Sequence, residues 1–340
     1  KILYSILGFT ASLTLGISLS QNCFTANAEG PKDALITPTS YEQYLKLTSP
    51  SDVAVNERYT AISDKNNIYL YDRVEGVYRK YEHNQNVDQS KNDVTKLEFS
   101  DNGALYFSDK STSLYRLNPA TLTAQKEDLV CSTFTLSGTD LYFSNVSGGY
   151  SSISKAALSN LSLSSSTSIV DGLLSDTVLS ISNDEIFYTD SGKYLYKYSN
   201  AQSSFISNFS NSLTSISVTS SLFCCTDNSG VFSVYDLIDL YANQEKATPL
   251  FTAEGSFSKI TIFDDFVYAI DGDSVKQYSL FERSFTGYQI CATSNAQNRL
   301  NGATDVPVAM MTRRGLFSVS SGSRRTEVSN SSLRRARRPT

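Results

Sequence analysis

Carboxylates and one imidazole are the side chains of this sequence with the reach to do chemistry, and they are unequally supplied: Asp and Glu together number 34, while histidine occurs once. A hydrolytic triad needs a base poised near neutral pH, and that role could fall only to His83, in Glu82-His83-Asn84 after a strand-like run. The Asn and Gln residues around it predict an exposed loop, and no Gly-x-Ser-x-Gly elbow accompanies it. One imidazole cannot build a multi-histidine metal site. The acids Asp264-Asp265 and Asp271 with Asp273 lack the alternating oxygen ligands and closing Glu of a calcium loop. Ser147-Gly148-Gly149-Tyr150 lacks the Lys and the helix of a phosphate cradle. The expectation is therefore no catalytic residue, no metal and no cofactor. One opening remains, because carboxylates that meet only in space, as in glycoside hydrolysis, leave no spacing in the sequence.

Six short polar side chains do recur. Asp72, Asp109, Asn145, Asp190, Asp227 and Asp271 each follow, by four or five residues, an apolar-aromatic pair: Ile68-Tyr69, Leu105-Tyr106, Leu141-Tyr142, Ile186-Phe187, Leu222-Phe223 and Val267-Tyr268. The pairs are spaced by 37, 36, 45, 36 and 45 residues. Asp and Asn bond to their own following backbone, and glycines close by (Gly76, Gly148, Gly192, Gly230, Gly272) accept positive φ, so each site predicts a hairpin turn. Gathered on one rim, the six would offer hydrogen bonds to a ligand; as plain turn-formers they would serve only the fold.

The elements that must hold them read as strands. After each turn comes an alternating run such as Val77-Tyr78-Arg79-Lys80-Tyr81 or Tyr194-Leu195-Tyr196-Lys197-Tyr198. A shorter strand precedes each pair, as in Val94 to Phe99 or Ile260 to Phe263, and a fourth is expected in stretches such as Thr167-Ser168-Ile169-Val170. With 21 Tyr, 18 Phe and no Trp, the composition suits many short aromatic strands rather than long helices. A strand-turn-strand pattern repeated six times at near-constant spacing favours radial blades over a generic sandwich. The fold class expected is all-β: a propeller of six recognisable four-stranded blades plus the start of a truncated seventh.

Pro50-Ser51-Asp52-Val53-Ala54-Val55 opens the first unit, and Asn298 to Val308, with Asp305-Val306, reads as a later opening. Over roughly 50–310 the chain resembles the NHL-repeat β-propellers, of a secreted bacterial kind. That resemblance implies architecture and little about function, since propellers host many activities. Residues 1–28 predict a cleaved export signal: Lys1, an apolar stretch from Ile2 to Leu19, then Ala26-Asn27-Ala28 as a small-x-small site. Residues 29–49 form a lead-in, and 311–340 an Arg/Ser-rich tail, read as disordered or as the product of a frame shift or truncation. If a seventh blade were missing, the ring would keep an open edge.

Charge is split along the chain. The tail from 312 holds eight of the fourteen arginines, and residues 1–311 carry 21 Lys and Arg against 33 Asp and Glu, a formal charge of −12. Such a body repels nucleic acid and anionic membrane. Cys131, Cys224, Cys225 and Cys291 show no metal spacing and read as small buried strand residues, with a disulfide through Cys131 or Cys291 as the alternative, and Cys224 and Cys225 face opposite ways. These expectations converge on a secreted or cell-surface binding module for a protein or glycan, with no membrane span after signal cleavage. The alternatives are a propeller lyase or glycan hydrolase working through channel acids, or a fragment of a larger surface protein.

Overall fold

The computed structural model describes residues 45–174 and 177–291; the expected export signal, most of the lead-in, the expected restart at Asp305-Val306 and the Arg/Ser-rich segment lie outside the described residues. Those described form 24 strands in six four-stranded antiparallel sheets, each using four consecutive strands in sequence order. Blade 1 comprises β1 Pro50–Val55, β2 Tyr59–Asp64, β3 Asn67–Asp72 and β4 Val77–Glu82; blade 2 comprises β5 Val94–Phe99, β6 Leu105–Asp109, β7 Ser113–Asn118 and β8 Thr123–Val130. Blade 3 is β9 Thr133–Ser137, β10 Asp140–Ser147, β11 Tyr150–Ala157 and β12 Thr167–Leu174; blade 4 is β13 Leu179–Ser182, β14 Glu185–Asp190, β15 Tyr194–Ser199 and β16 Gln202–Asn208. Blade 5 holds β17 Leu213–Val218, β18 Leu222–Asp227, β19 Val231–Asp236 and β20 Phe251–Glu254, and blade 6 holds β21 Phe257–Phe263, β22 Phe266–Asp271, β23 Ser274–Ser279 and β24 Ser284–Ile290. One helix, α1 Leu237–Asn243, interrupts blade 5; Asp236 caps it by accepting from the amides of Ile238 and Asp239. The molecule is a six-bladed β-propeller. Among the described residues no helix is long and apolar enough to cross a membrane.

Strand alternation sends apolar side chains to both faces of every sheet, so the core is divided among the blade junctions. Each of the six junctions holds its own buried cluster. Leu97, Leu105 and Phe107 pack on Ile68 and Leu70 between blades 1 and 2. Between blades 5 and 6, Phe232 meets Phe257 and Tyr278. Cys224 enters that cluster while Cys225 enters the one between blades 4 and 5, so the neighbouring thiols do face opposite ways. Burial pushes the Cys131 and Cys224 thiols up to about 12, which leaves them inert.

The ring closes on six. Val53, Val55 and Ile62 of blade 1 share one cluster with Tyr268, Ile270, Val275 and Ile290 of blade 6, joined by Leu47 from the lead-in. The Arg73 guanidinium lies over the Phe263 ring at 5.6 Å and donates to the Tyr268 hydroxyl at 3.4 Å. No gap for a seventh blade separates these surfaces.

Blade 1 departs from the sequence pattern. In blades 2 to 6 the apolar-aromatic pair opens the second strand, but Ile68-Tyr69 lies on β3, the third. The true counterpart of Leu105-Tyr106 is Thr60-Ala61 on β2, ending at Asp64 as β6 ends at Asp109. Consecutive antiparallel turns sit at opposite ends of a sheet, so the turn after Asp72 lies at the other end of the ring from the turns after Asp109, Asp190, Asp227 and Asp271. Below, the odd-turn face carries the turns after first and third strands. The even-turn face carries the turns after second strands and the blade-to-blade connections.

Candidate functional site

Three polar constellations stand out. The first is the set of turn acids. Asp64, Asp109, Asp190, Asp227 and Asp271 each end a second strand on the even-turn face, and each grips the segment that leads the chain into its own blade. Asp64 accepts from the Thr48 amide at 3.0 Å and the Ser49 amide at 2.7 Å. Asp190 accepts from the Leu174 amide at 2.8 Å, Asp227 from Asn211 Nδ2 at 3.0 Å, and Asp271 from the Ser256 amide at 2.7 Å. Asp109 and Asp227 also close their own turns, on Ser111 and Ser113 (2.9 and 3.1 Å) and on Ser229 and Val231 (2.9 and 3.0 Å). Asn145 lies within β10, short of the turn, and in that blade the Ser144 carbonyl accepts from the Ser132 amide instead. Asp72, on the odd-turn face, bonds Arg58 at 2.8 Å and the amides of Val74 and Glu75. The six residues expected on one rim are therefore divided between two faces.

His83 is the plainest correction. It was expected in an exposed loop, yet it is fully buried, with Nε2 3.1 Å from Asp109 Oδ2 and its ring edge-on to Phe107 and Tyr115. Its neighbour Asn86 reaches the same carboxylate at 2.8 Å. Glu82-His83-Asn84 looked polar because the imidazole is solvated by protein rather than water. Burial works against the Asp109 anion, but donors from His83, Ser111, Asn86 and the Ser113 amide outweigh it and hold the carboxyl at about 2, below its ordinary 3.8. A folded-state pKa below the unfolded value stabilises the fold above the unfolded pKa, and that contribution is lost as pH falls through the folded one. Acid unfolding should therefore show a component worth about 2 kcal/mol disappearing between about pH 4 and pH 2. The variant Asp109→Asn, measured by urea unfolding across that range, should lack it; an unchanged pH slope would refute the assignment.

The second constellation surrounds the axis. Inner strands β1, β5, β17 and β21 each break register against their second strand, between Pro50 and Asp52, Val94 and Lys96, Leu213 and Ser215, and Phe257 and Ile260. Such bulges re-aim side chains. The Lys96 ammonium lies 3.7 Å from Asp52 and 3.6 Å from Glu98. Asp52 also accepts the Leu97 amide at 2.7 Å, and Glu98 the Leu136 amide at 2.8 Å and the Thr135 hydroxyl at 3.0 Å. Ser180 accepts the Val218 amide and Ser215 the Ile260 amide, both at 3.2 Å. At four junctions a side chain of one inner strand thus stitches the backbone of the next.

Charge balance follows. Burial disfavours the Lys96 ammonium, but Asp52 and Glu98 more than compensate and its pKa is raised. Burial raises the Glu98 pKa against the pull of Lys96. Lys259, which donates to the Thr214 carbonyl at 2.9 Å, is lowered by burial and by Lys96, with Asp52 opposing. Two acids do converge at the axis, as a hydrolase would require, but a lysine sits between them and backbone amides hold both. Among the described residues no three His, Cys, Asp or Glu side chains cluster as metal ligands.

The third constellation is a trough on the odd-turn face. Two cavities, about 680 Å³ and about 530 Å³, share Asn102, Gly103, Asn118 and Pro119 and so form one channel. It begins beside Phe263 and Val55, at the ends of the inner strands, and passes outward over blade 2 to Gln125 on β8. Volumes of this size suit a bound molecule. Three asparagines line it in the same way. Asn56 Oδ1 accepts the amides of Arg58 and Tyr59, Asn102 Oδ1 the Ala104 amide and Ser100 hydroxyl, and Asn118 Oδ1 the amides of Ala120 and Thr121. Those donors fix each amide's orientation, so every Nδ2 points away from its turn with no partner among the described residues. Sequence reading passed over these residues because a turn Asn and a ligand-facing Asn look alike.

No protein-family model matches the chain, and no curated protein matches it. Among solved structures, it is similar to the computationally designed protein Ika8, with 12% identity, TM-score 0.43, and coverage of 70% of this chain and 74% of Ika8. PorZ, a bacterial surface component of the type-IX secretion system of Porphyromonas gingivalis, gives 13% identity and TM-score 0.48 over 72% of this chain and 33% of PorZ. BamB from Moraxella catarrhalis gives 9% identity and TM-score 0.42 over 66% and 83%. The chain thus spans a third of the PorZ chain. Likenesses this distant say nothing of ligand or activity, and the fold assignment rests on the sheet order itself.

Proposed function

We propose that this chain is a secreted, non-catalytic propeller of NHL-like kind that binds a protein or glycan ligand at the cell surface, with its ligand face at the odd-turn end over blades 1 and 2. One contrast carries the reading. The acids that end the second strands and those at the axis are spent on donors of the protein itself, backbone amides, side-chain amides, His83 and lysines, whereas trough amides and carboxylates remain available. A catalytic carboxylate pair needs one oxygen free to donate and another free to attack or activate water, and Asp52 and Glu98 are both held by Lys96.

Secretion rests on the sequence of residues 1–28, and the mature N-terminus should be Glu29 by intact-mass analysis; retention of Lys1 in exported protein would refute cleavage. Binding is tested by labelling the protein with a fluorophore and measuring its retention on intact cells and on their purified surface polysaccharide. The variant Asn102→Asp with Asn118→Asp should be retained at least about tenfold less than wild type, the loss of one or two good hydrogen bonds. Equal retention of the two would rule out the trough as the ligand face.

A further inference from the structure

The trough has a chemistry that narrows the ligand further, on the premise that it is the binding face. Donors and acceptors both line it. The free Nδ2 groups of Asn56, Asn102 and Asn118 donate only, while the exposed carboxylates of Glu57 and Asp101 accept only and have no cation beside them among the described residues. Its two lining arginines are paired, Arg58 with Asp72 and Arg116 with Glu127 at 3.1 Å, while Arg73, over the Phe263 ring, is spent on the Asn56 carbonyl and the Thr60 and Tyr268 hydroxyls. A phosphate, sulfate or uronate would meet two unpaired carboxylates, and every guanidinium near them is already hydrogen-bonded within the protein. Half-buried aromatic rings, Phe99 and Phe263, lie at the inner end, Phe99 stacked on Tyr59 with centroids 6.3 Å apart.

We infer that the trough binds an uncharged oligosaccharide in extended form. A sugar hydroxyl both donates and accepts, so a chain of them is matched by a lining that holds free amide donors and free carboxylate acceptors, while the half-buried Phe99 and Phe263 offer apolar surface to the C–H groups of a pyranose ring. A peptide is a poorer fit. The trough crosses strand ends from axis to rim, so a peptide cannot run beside one strand edge, and its polar lining is no seat for an amphipathic helix.

The test uses the full chain and a panel of uncharged gluco-, manno- and N-acetylglucosamine oligosaccharides of two to six units, with uronate-containing oligomers as the charged contrast, read by isothermal titration. At least one uncharged oligomer should bind, longer ones more tightly, and the uronates at least about tenfold more weakly. Asn102→Asp and Asn118→Asp keep the oxygens that cap each turn and remove only the outward donors, so the pair should fold normally, by circular dichroism and thermal melt, and lose at least about tenfold in affinity. Asn145→Asp on the opposite face should bind as wild type. Failure of every uncharged oligomer at millimolar concentration overturns the glycan assignment, and so does preference for uronates. If cell retention still depends on Asn102 and Asn118, the binding-module reading survives that failure; if it does not, both fall.

Discussion

Replacing Asp109 with Ala should destabilise the protein by about 3–5 kcal/mol, among the largest losses available to a single polar substitution here. The carboxylate serves His83, Asn86 and two backbone amides at once, and the site is buried. Alanine leaves these donors facing apolar surroundings, each costing about 1–3 kcal/mol where it finds no water. Equilibrium unfolding in urea measures the loss. Asn145→Ala, in the blade whose strap is made by backbone instead, should cost less than about 1 kcal/mol. Similar values for the two would mean the repeated acid is an incidental turn residue rather than a tie between segments.

Lys96→Met should cost about 3 kcal/mol, because it strands Asp52 and Glu98 without their shared cation. The side chain is 22% exposed, which moderates the penalty below that of a dry interior. Removing the carboxylates as well, with Asp52→Asn and Glu98→Gln, should restore much of the stability, since a cluster removed whole leaves fewer unpaired charges than one broken in part. The outcome bears on function. A neutral Lys96→Met would mean the axis is wet enough to solvate two free carboxylates, and the glycan-hydrolase alternative would regain its ground.

Blade period and strand pattern were legible because the period-2 alternation and the turn acid both survive in each unit. Val94 to Phe99 is strand β5 as read, and the expected outer strand at Thr167 to Val170 is the start of β12. Blade 1 misled because β3, Asn67-Ile68-Tyr69-Leu70-Tyr71-Asp72, imitates a second strand down to its acid and following glycine, while β2 carries Ala61 where the pair's aromatic would stand. A better signal was present. The residue before the second-strand acid or amide is a buried hydroxyl in five blades, Ser63, Ser108, Ser144, Thr189 and Thr226, and it would have placed Asp64 rather than Asp72 in the series. Several of these hydroxyls meet a partner from the inner-strand bulge, as Ser63 meets Ser51 at 2.8 Å and Thr226 meets Thr214 at 3.0 Å. The trough was not legible. It is assembled from loops as far apart in sequence as those of Asn56, Asn118 and Phe263, and from which atom of each amide is left over after the turn is capped.

The division between structural acids and ligand-facing amides is tested most directly by one variant on the strap side. Asp227→Asn keeps the oxygen that closes its turn but sets an amide against Asn211 Nδ2, so it should lower the melting temperature while leaving a folded majority at 10 °C. Retention on intact cells measured at 10 °C, alongside wild type and the Asn102→Asp, Asn118→Asp pair, then separates the two roles. The prediction is wild-type retention for Asp227→Asn and a loss of at least about tenfold for the trough pair. Loss of retention in Asp227→Asn with an unchanged melting temperature, and full retention in the trough pair, would contradict it and return the ligand to the even-turn face.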